Sequence, residues 1–176
     1  VAEALAEKLN LEIFDKKRFV EEAKKRNVYD ENANFLNEKP IDSFLYSIAM
    51  SYGATNPRDR YIDFVKELTE QENCIIIGRC ADYVLGDYSN CINAFVYAYK
   101  EDRIRRIMKL YDLTERQAWD KIKKIDKTRK AYYEEHTDRD WGSIEAHQML
   151  FNASLMGIDG VVDALEGIYR KWNERE

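Results

Sequence analysis

The chain has 176 residues, of which 28 are Lys or Arg and 33 are Asp or Glu, for a net charge of −5. Apolar residues make up 45% and charged residues 35%, a globular balance that excludes a disordered or fibrous polypeptide. An acidic chain is a poor generic binder of nucleic acid or anionic membrane, and no apolar run approaches the ~18 residues of a membrane-spanning helix, so any anion site must be local. Seven Gly and two Pro disfavour a loop-rich all-β fold. Three Cys, an odd number without a CxxC pair, argue against a disulfide framework and for a reducing, cytoplasmic compartment. No secretory signal is evident, and the chain opens at Val1 inside what reads as a helix, so an upstream segment is expected.

In chain order, Ala2, Leu5, Ala6 and Leu9 keep helical spacing. Leu11 to Phe14 is a short strand, Phe19 to about Arg26 a helix, and 27–39 a polar, irregular stretch before Pro40. Ile41, Phe44, Leu45, Ile48 and Ala49 predict a helix, and Tyr61, Phe64, Val65 and Leu68 another. Cys74 to Ile77, closed by Gly78, is a run of four apolar residues and predicts a strand buried on both faces. Ile92 to Ala98 is a second such run and Met149 to Phe151 a third. Ile104, Ile107, Met108 and Tyr111 mark a helix. Thr114 with Gln117 reads as a capping box that opens the next helix through Ile122 and Ile125. Ile158, Val161, Val162, Leu165, Ile168, Tyr169 and Trp172 define the last helix. Apolar strands separated by helices pair in parallel through right-handed crossovers. The predicted fold is therefore an α/β domain of three layers, helix-sheet-helix.

Such sheets bind ligands at the carboxyl ends of their strands. After Phe14 come Asp15 and Lys16. After Ile77 come Gly78, which allows close backbone approach, and Arg79, which would project a planar cation into the crevice. The guanidinium fork suits phosphate because it donates two parallel hydrogen bonds; a salt-bridged Arg at a helix start is the plainer alternative. Beyond Ala98 lie Arg103, Arg105 and Arg106, then Lys121, Lys123, Lys124, Lys127, Arg129 and Lys130 with Asp126 among them. A charge run of this kind is usually a solvated helix face. Its concentration between residues 100 and 130 of an acidic chain, beside Arg79, points instead to a small polyanion such as a nucleotide. His136 and His147 stand without clustered Cys, so no metal centre is expected. Cys74, Cys80 and Cys91 read as small core residues, and the Tyr132-Tyr133 pair and Trp141 as packing or lid residues.

The order of these motifs resembles the cytidylate kinase-like group of nucleoside monophosphate kinases, within the P-loop kinases. Residues 1–9 are similar to the helix that follows the phosphate-binding loop, and Leu11 to Lys16 to the second strand and the start of the acceptor region. Ile75-Ile76-Ile77-Gly78-Arg79-Cys80-Ala81-Asp82-Tyr83 resembles the strand and Gly-Arg turn that grip the acceptor phosphate. Phe95 to Ala98 with Glu101 to Arg106, and Lys124 to Arg129, are similar to the Arg-rich helix and the return segment of the lid. Asp140-Trp141-Gly142 and Leu150 to Ser154 resemble the closing loop and the last strand.

The resemblance implies a single domain over residues 1–176, with an acceptor-side helical region at 27–72 and a lid at 101–140. It implies a parallel sheet of about five strands, the first of which, with its glycine loop, would precede Val1. It implies ATP as phosphoryl donor, Mg2+ carried with the nucleotide, and transfer to a CMP- or dCMP-like monophosphate. Arg79 would hold the acceptor phosphate, with Asp82 in the same matched stretch on the substrate side. Asp15 and Lys16 would lie near the acceptor base and ribose, Arg103 and Arg106 at the donor nucleotide, and Arg129, oriented by Asp126, over the transferring phosphoryl. Partners would be small nucleotides, with neither nucleic acid nor membrane, on a monomer or homodimer. Two positions depart from the pattern. Ile77 stands where better-known monophosphate kinases have Asp, and Cys80 where cytidylate kinases place an acceptor-reading Asp. A non-catalytic nucleotide-binding or regulatory member and a kinase for a non-nucleotide metabolite are the alternatives. An upstream P-loop with its Lys separates the enzymes from the regulator.

Overall fold

The computed structural model describes residues 1–37, 51, 56–70 and 73–174. Helix α1 (Ala2–Leu9) ends on Asn10 in the left-handed region at φ 52°, which turns the chain into β1 (Glu12–Phe14). Helix α2 (Lys16–Lys25) is capped by Asp15, whose carboxylate accepts from the Arg18 N–H at 2.9 Å. Asp15→Ala is expected to cost about 1 kcal/mol, the usual loss for an N-cap, read as a lower urea midpoint at unchanged slope.

Helix α3 (Tyr29–Leu36) replaces the irregular stretch predicted at 27–39. It buries Asn32, Phe35 and Leu36 and exposes or half-exposes the rest, so the apolar period is too thin to see. The helix predicted over 41–49 lies outside the described residues. Helix α4 (Pro57–Thr69) starts with Pro at its first position behind an Asn56 cap, and buries Tyr61, Phe64, Val65 and Leu68 as their spacing predicts. Then follow β2 (Cys74–Ile76), the short helix α5 (Ala81–Val84), β3 (Ala94–Tyr97) and α6 (Lys100–Tyr111). Helix α7 (Glu115–Thr137) opens on the Thr114–Gln117 capping box and runs well past Ile125. Strand β4 (Met149–Asn152) leads into α8 (Ala153–Asn173), which breaks at Gly157 (φ 70°, ψ 174°).

Pairing is parallel, as predicted, with Ile13 opposite Ile75 and Phe95 opposite Leu150. The sheet is smaller than predicted. Among the described residues there are two separate pairs, β1–β2 and β3–β4, rather than about five joined strands. Each strand has one partner only, which is why Val96 and Tyr97 stay substantially exposed instead of being buried on both faces. The pairs are linked through helices: α1 packs on β1, β2 and α8, and α8 packs on β3 and β4. Lys8 Nζ of α1 meets Asp163 at 2.6 Å and Glu166 at 3.1 Å on α8.

The main core joins Phe14, Phe19, Phe35, Leu36, Phe64 and Val65 to the turn after β2 and to Tyr132 and Tyr133 of α7. A second, small core of Ile104, Ala118 and Ile122, flanked by Ile107, Met108, Leu113 and Trp119, holds α6 against the first half of α7. Helix α7 thus belongs to two bodies: its start to a hairpin with α6, its end to the main core.

Candidate functional site

The parallel pairing brings the carboxyl ends of β1 and β2 side by side, since Phe14 is opposite Ile76 and its carbonyl accepts from Ile77 N–H at 3.0 Å. Asp15 and Lys16 are exposed there, at the start of α2. The next three residues of the β2 end, Gly78, Arg79 and Cys80, all have positive φ, at 67°, 60° and 55°. Gly adopts this conformation without penalty, whereas a non-Gly residue in it costs on the order of 1–3 kcal/mol. The turn is fixed by the buried Tyr61 hydroxyl, which donates to the Arg79 carbonyl at 2.7 Å, and by Ala81 N–H donating to Gly78 O at 3.1 Å.

Arg79 does not project openly into the crevice as its position predicts. It is 6% exposed. Its guanidinium lies close enough to the Tyr61 and Tyr132 hydroxyls to oppose, by its charge, the burial that pushes both of them up. The physical reason is the left-handed turn, which directs the residues after β2 back toward α4 and α7 rather than outward. Cys80, 4% exposed, packs in the same core.

The ends of β3 and β4 meet in the same way. Tyr99 N–H, at the start of α6, donates to Ser154 Oγ at 2.7 Å, just beyond β4. The Ser154 hydroxyl and Arg105 hold the Asp102 carboxyl below its ordinary range. Leu155 is 82% exposed beside this junction, and Met156 and Tyr99 are also exposed. An apolar ledge next to a polar knot at a strand end is what a planar ring can stack on. The apolar period of the last helix begins at Ile158, so nothing in the sequence signals that Leu155 and Met156 are exposed; Gly157, next along, has a positive φ.

In the α6–α7 hairpin, Arg103 donates both Nη atoms to the two carboxylate oxygens of Asp126, each at 2.7 Å. Asp126 therefore holds Arg103, where the sequence paired it with Arg129. The bidentate fork engages both oxygens of Asp126. Arg106 and Arg129 are exposed, and neither has an ion pair among the described residues. Lys121, Lys124, Ile125 and Thr128 share one open face of α7. Residues 100–130 carry twelve basic and six acidic side chains, a local excess of +6 in a chain of −5. The structure brings Asp15, Lys16 and Arg79 together at one pair of strand ends and sets Arg103, Arg106, Asp126 and Arg129 on the hairpin that rises from the other.

Asp82, expected on the substrate side, accepts from the Tyr133 hydroxyl at 2.6 Å. Beside it, Asn93 Nδ2 donates to Ala146 O at 2.9 Å, so its Oδ1 faces His147 Nδ1 at 3.0 Å and that nitrogen is the donor. Burial lowers the His147 pKa; Asp82 opposes this and Arg139 adds to it. The unfolded chain therefore takes up a proton near the ordinary His value, about 6.5, before the folded protein does. Stability present above that pH is expected to fall as the pH drops through and below it. Urea midpoints at pH 7.5 and 5.5 should show the fall, and His147→Gln should flatten it; equal slopes in both proteins would remove His147 as its source.

Parallel strand pairs crossed by helices define an α/β protein. The chain belongs to the cytidylate kinase-like family, whose model matches residues 1–155. A crystal structure described as an uncharacterized protein from Eubacterium ventriosum is 25% identical, with a TM-score of 0.74 over 97% of this chain and 89% of that one. No curated protein matches the chain. Family membership supports a kinase-like enzyme that handles nucleotides. Among the described residues no helix is long and apolar enough to cross a membrane, and Cys74, Cys80 and Cys91 form no disulfide.

Proposed function

We propose that the protein transfers the terminal phosphoryl of ATP to a nucleoside monophosphate of the CMP or dCMP class, giving ADP and the diphosphate. The observation that carries this reading is the pairing of a strained, buried Arg79 turn with an adjoining hairpin whose Arg106 and Arg129 are exposed and without ion pairs among the described residues. In this reading 27–72 is the acceptor side, 101–140 the lid, and the whole chain one domain. An acceptor phosphate oxygen attacks the γ-phosphorus, and the bond from that phosphorus to the bridging oxygen breaks as ADP leaves. Such a step needs positioning and charge neutralisation rather than covalent help.

Arg79 fixes the acceptor phosphate. Asp15 and Lys16 lie at the acceptor ribose and base. Arg103, clamped by Asp126, and Arg106 face the donor, and Arg129 neutralises the charge spread over the transferring group. The exposed ledge of Tyr99 and Leu155 suits the donor base. Unneutralised cations fit a triphosphate. No three acidic, His or Cys side chains converge among the described residues, so Mg2+ would be carried largely on phosphate oxygens, which suits its reluctance to shed water. The closed hairpin excludes water that would otherwise hydrolyse ATP.

Cys80 is buried, so the base must be read elsewhere than at the position where cytidylate kinases place Asp. Phosphorus NMR of full-length protein with Mg-ATP and each of CMP, dCMP, UMP, AMP, GMP and dTMP tests the reading. The expected result is diphosphate formation, fastest with a cytosine nucleotide. Diphosphate from none of the six, with ATP still bound, would overturn it in favour of a non-nucleotide acceptor.

A further inference from the structure

Arg18 lies on α2, outside every stretch that carries the family resemblance. Its guanidinium carbon stands 5.9 Å from the centre of the Phe14 ring. Phe14 is the last residue of β1, and its carbonyl accepts from Ile77 N–H on the rung just before the Gly78 turn. The guanidinium therefore sits at the carboxyl ends of the paired strands, where a parallel sheet receives its ligand.

The carboxylate nearest to it is committed elsewhere. Glu22 Oε1 takes Lys25 Nζ at 2.8 Å and leaves Arg18 Nη1 at 3.6 Å, beyond hydrogen-bond distance. Lys25 is the main cause that holds the Glu22 carboxyl below its ordinary range, and Arg18 adds less. Arg18 Nε is enclosed and has no hydrogen-bond partner, and a donor enclosed in this way is costly to leave unpaired. One edge of the guanidinium, Nε with Nη2, is thus uncommitted among the described residues. Such an edge meets two phosphate oxygens at once.

Space and charge agree with this. Nothing lies within 4 Å of where a Cβ on Gly78 would stand, so the approach to the turn is open there. A phosphate monoester carries about −1.5 to −2 near pH 7, more than one guanidinium neutralises. Arg79, at 6% exposure, offers it little surface, whereas the Arg18 side chain is 37% exposed.

We propose that Arg18 is a substrate-binding residue: its uncommitted guanidinium edge takes the acceptor phosphate together with Arg79, and so selects acceptors that carry a doubly charged phosphate. The inference rests on the phosphoryl-transfer reading and adds to it a phosphate ligand that the resemblance does not supply.

The test is calorimetric binding of CMP and of cytidine, which lacks the phosphate, to full-length protein at one ionic strength. The proteins are wild type, Arg18→Gln, Arg18→Lys and a control, Lys17→Gln, whose side chain is exposed on the same turn. Wild type is expected to bind CMP at least tenfold more tightly than cytidine. Arg18→Gln should lose at least tenfold of the affinity for CMP and keep that for cytidine within twofold. Arg18→Lys retains the charge and stem without the planar fork, and its CMP affinity should fall between the two. Lys17→Gln should keep both affinities within twofold. Turnover should agree, with acceptor KM raised at least tenfold in Arg18→Gln and kcat within threefold. Equal weakening of CMP and cytidine marks a structural role and overturns the inference. So does a wild-type ratio of the two affinities in Arg18→Gln, or in Arg18→Lys where the Gln protein does not fold, and so does an equal loss of CMP affinity in Lys17→Gln. Wild type that binds CMP no better than cytidine, or binds neither, overturns the acceptor reading and this inference with it.

Discussion

Arg79→Ala is expected to lower kcat/KM for the acceptor by roughly 10²-fold, the scale seen when one preorganised donor is removed from a developing or bound oxyanion. The sequence alone predicts this loss with little cost in stability. Burial changes the second half of that expectation. Arg79 is 6% exposed, with its charge felt at Tyr61 and Tyr132, so truncation leaves a void and loses packing, and a further stability loss of roughly 1–3 kcal/mol is expected. Arg79→Lys separates the two effects. Lys keeps a point charge and most of the stem but not the planar fork. It should recover much of the melting temperature while acceptor KM stays at least tenfold raised. Wild-type kcat and KM in a folded Arg79→Lys protein would remove Arg79 from the site and leave it as the anchor of a strained turn.

Arg129→Ala is expected to lower kcat at least tenfold with acceptor KM within twofold. Stability should change by less than about 0.5 kcal/mol, because the side chain is exposed and has no ion pair among the described residues. Unequal effects on kcat and KM follow from the proposed role: a cation that meets the transferring group stabilises the transition state more than the bound acceptor. Steady-state kinetics with acceptor varied at saturating Mg-ATP measures both numbers. An unchanged rate would return this face of α7 to plain solvated surface.

Elements with a dense apolar period were legible from sequence. Tyr61, Phe64, Val65 and Leu68 mark α4 and are all buried, and Thr114 with Gln117 marks the start of α7 through a local hydrogen-bond pattern that needs no tertiary context. Helix α3 was not legible, because Phe35 and Leu36 are its only fully buried apolar residues and Tyr29 is half-buried beside them. Parallel pairing followed from apolar strands alternating with helices, but the joining of strands into one sheet did not, since pairing partners are a long-range property.

At the site, composition and order drew attention to the basic residues and said nothing about their partners. Asp126 lies three residues before Arg129 in sequence, which invites pairing of the two; in space the interhelical fork from Arg103 takes both oxygens. Arg79 was located by its strand end, yet its burial depends on three consecutive left-handed residues, only the first of which is Gly. Tyr133 could be recognised as a packing or lid residue, but its hydrogen bond to Asp82 spans 51 positions and leaves no local signature.

The most direct test of phosphoryl transfer is a coupled ADP-release assay on full-length protein with Mg-ATP, run with and without CMP. ADP release that depends on CMP, saturates with it and far exceeds the rate with ATP alone is the predicted result. ADP release that is the same with and without acceptor, or absent in both, would contradict it.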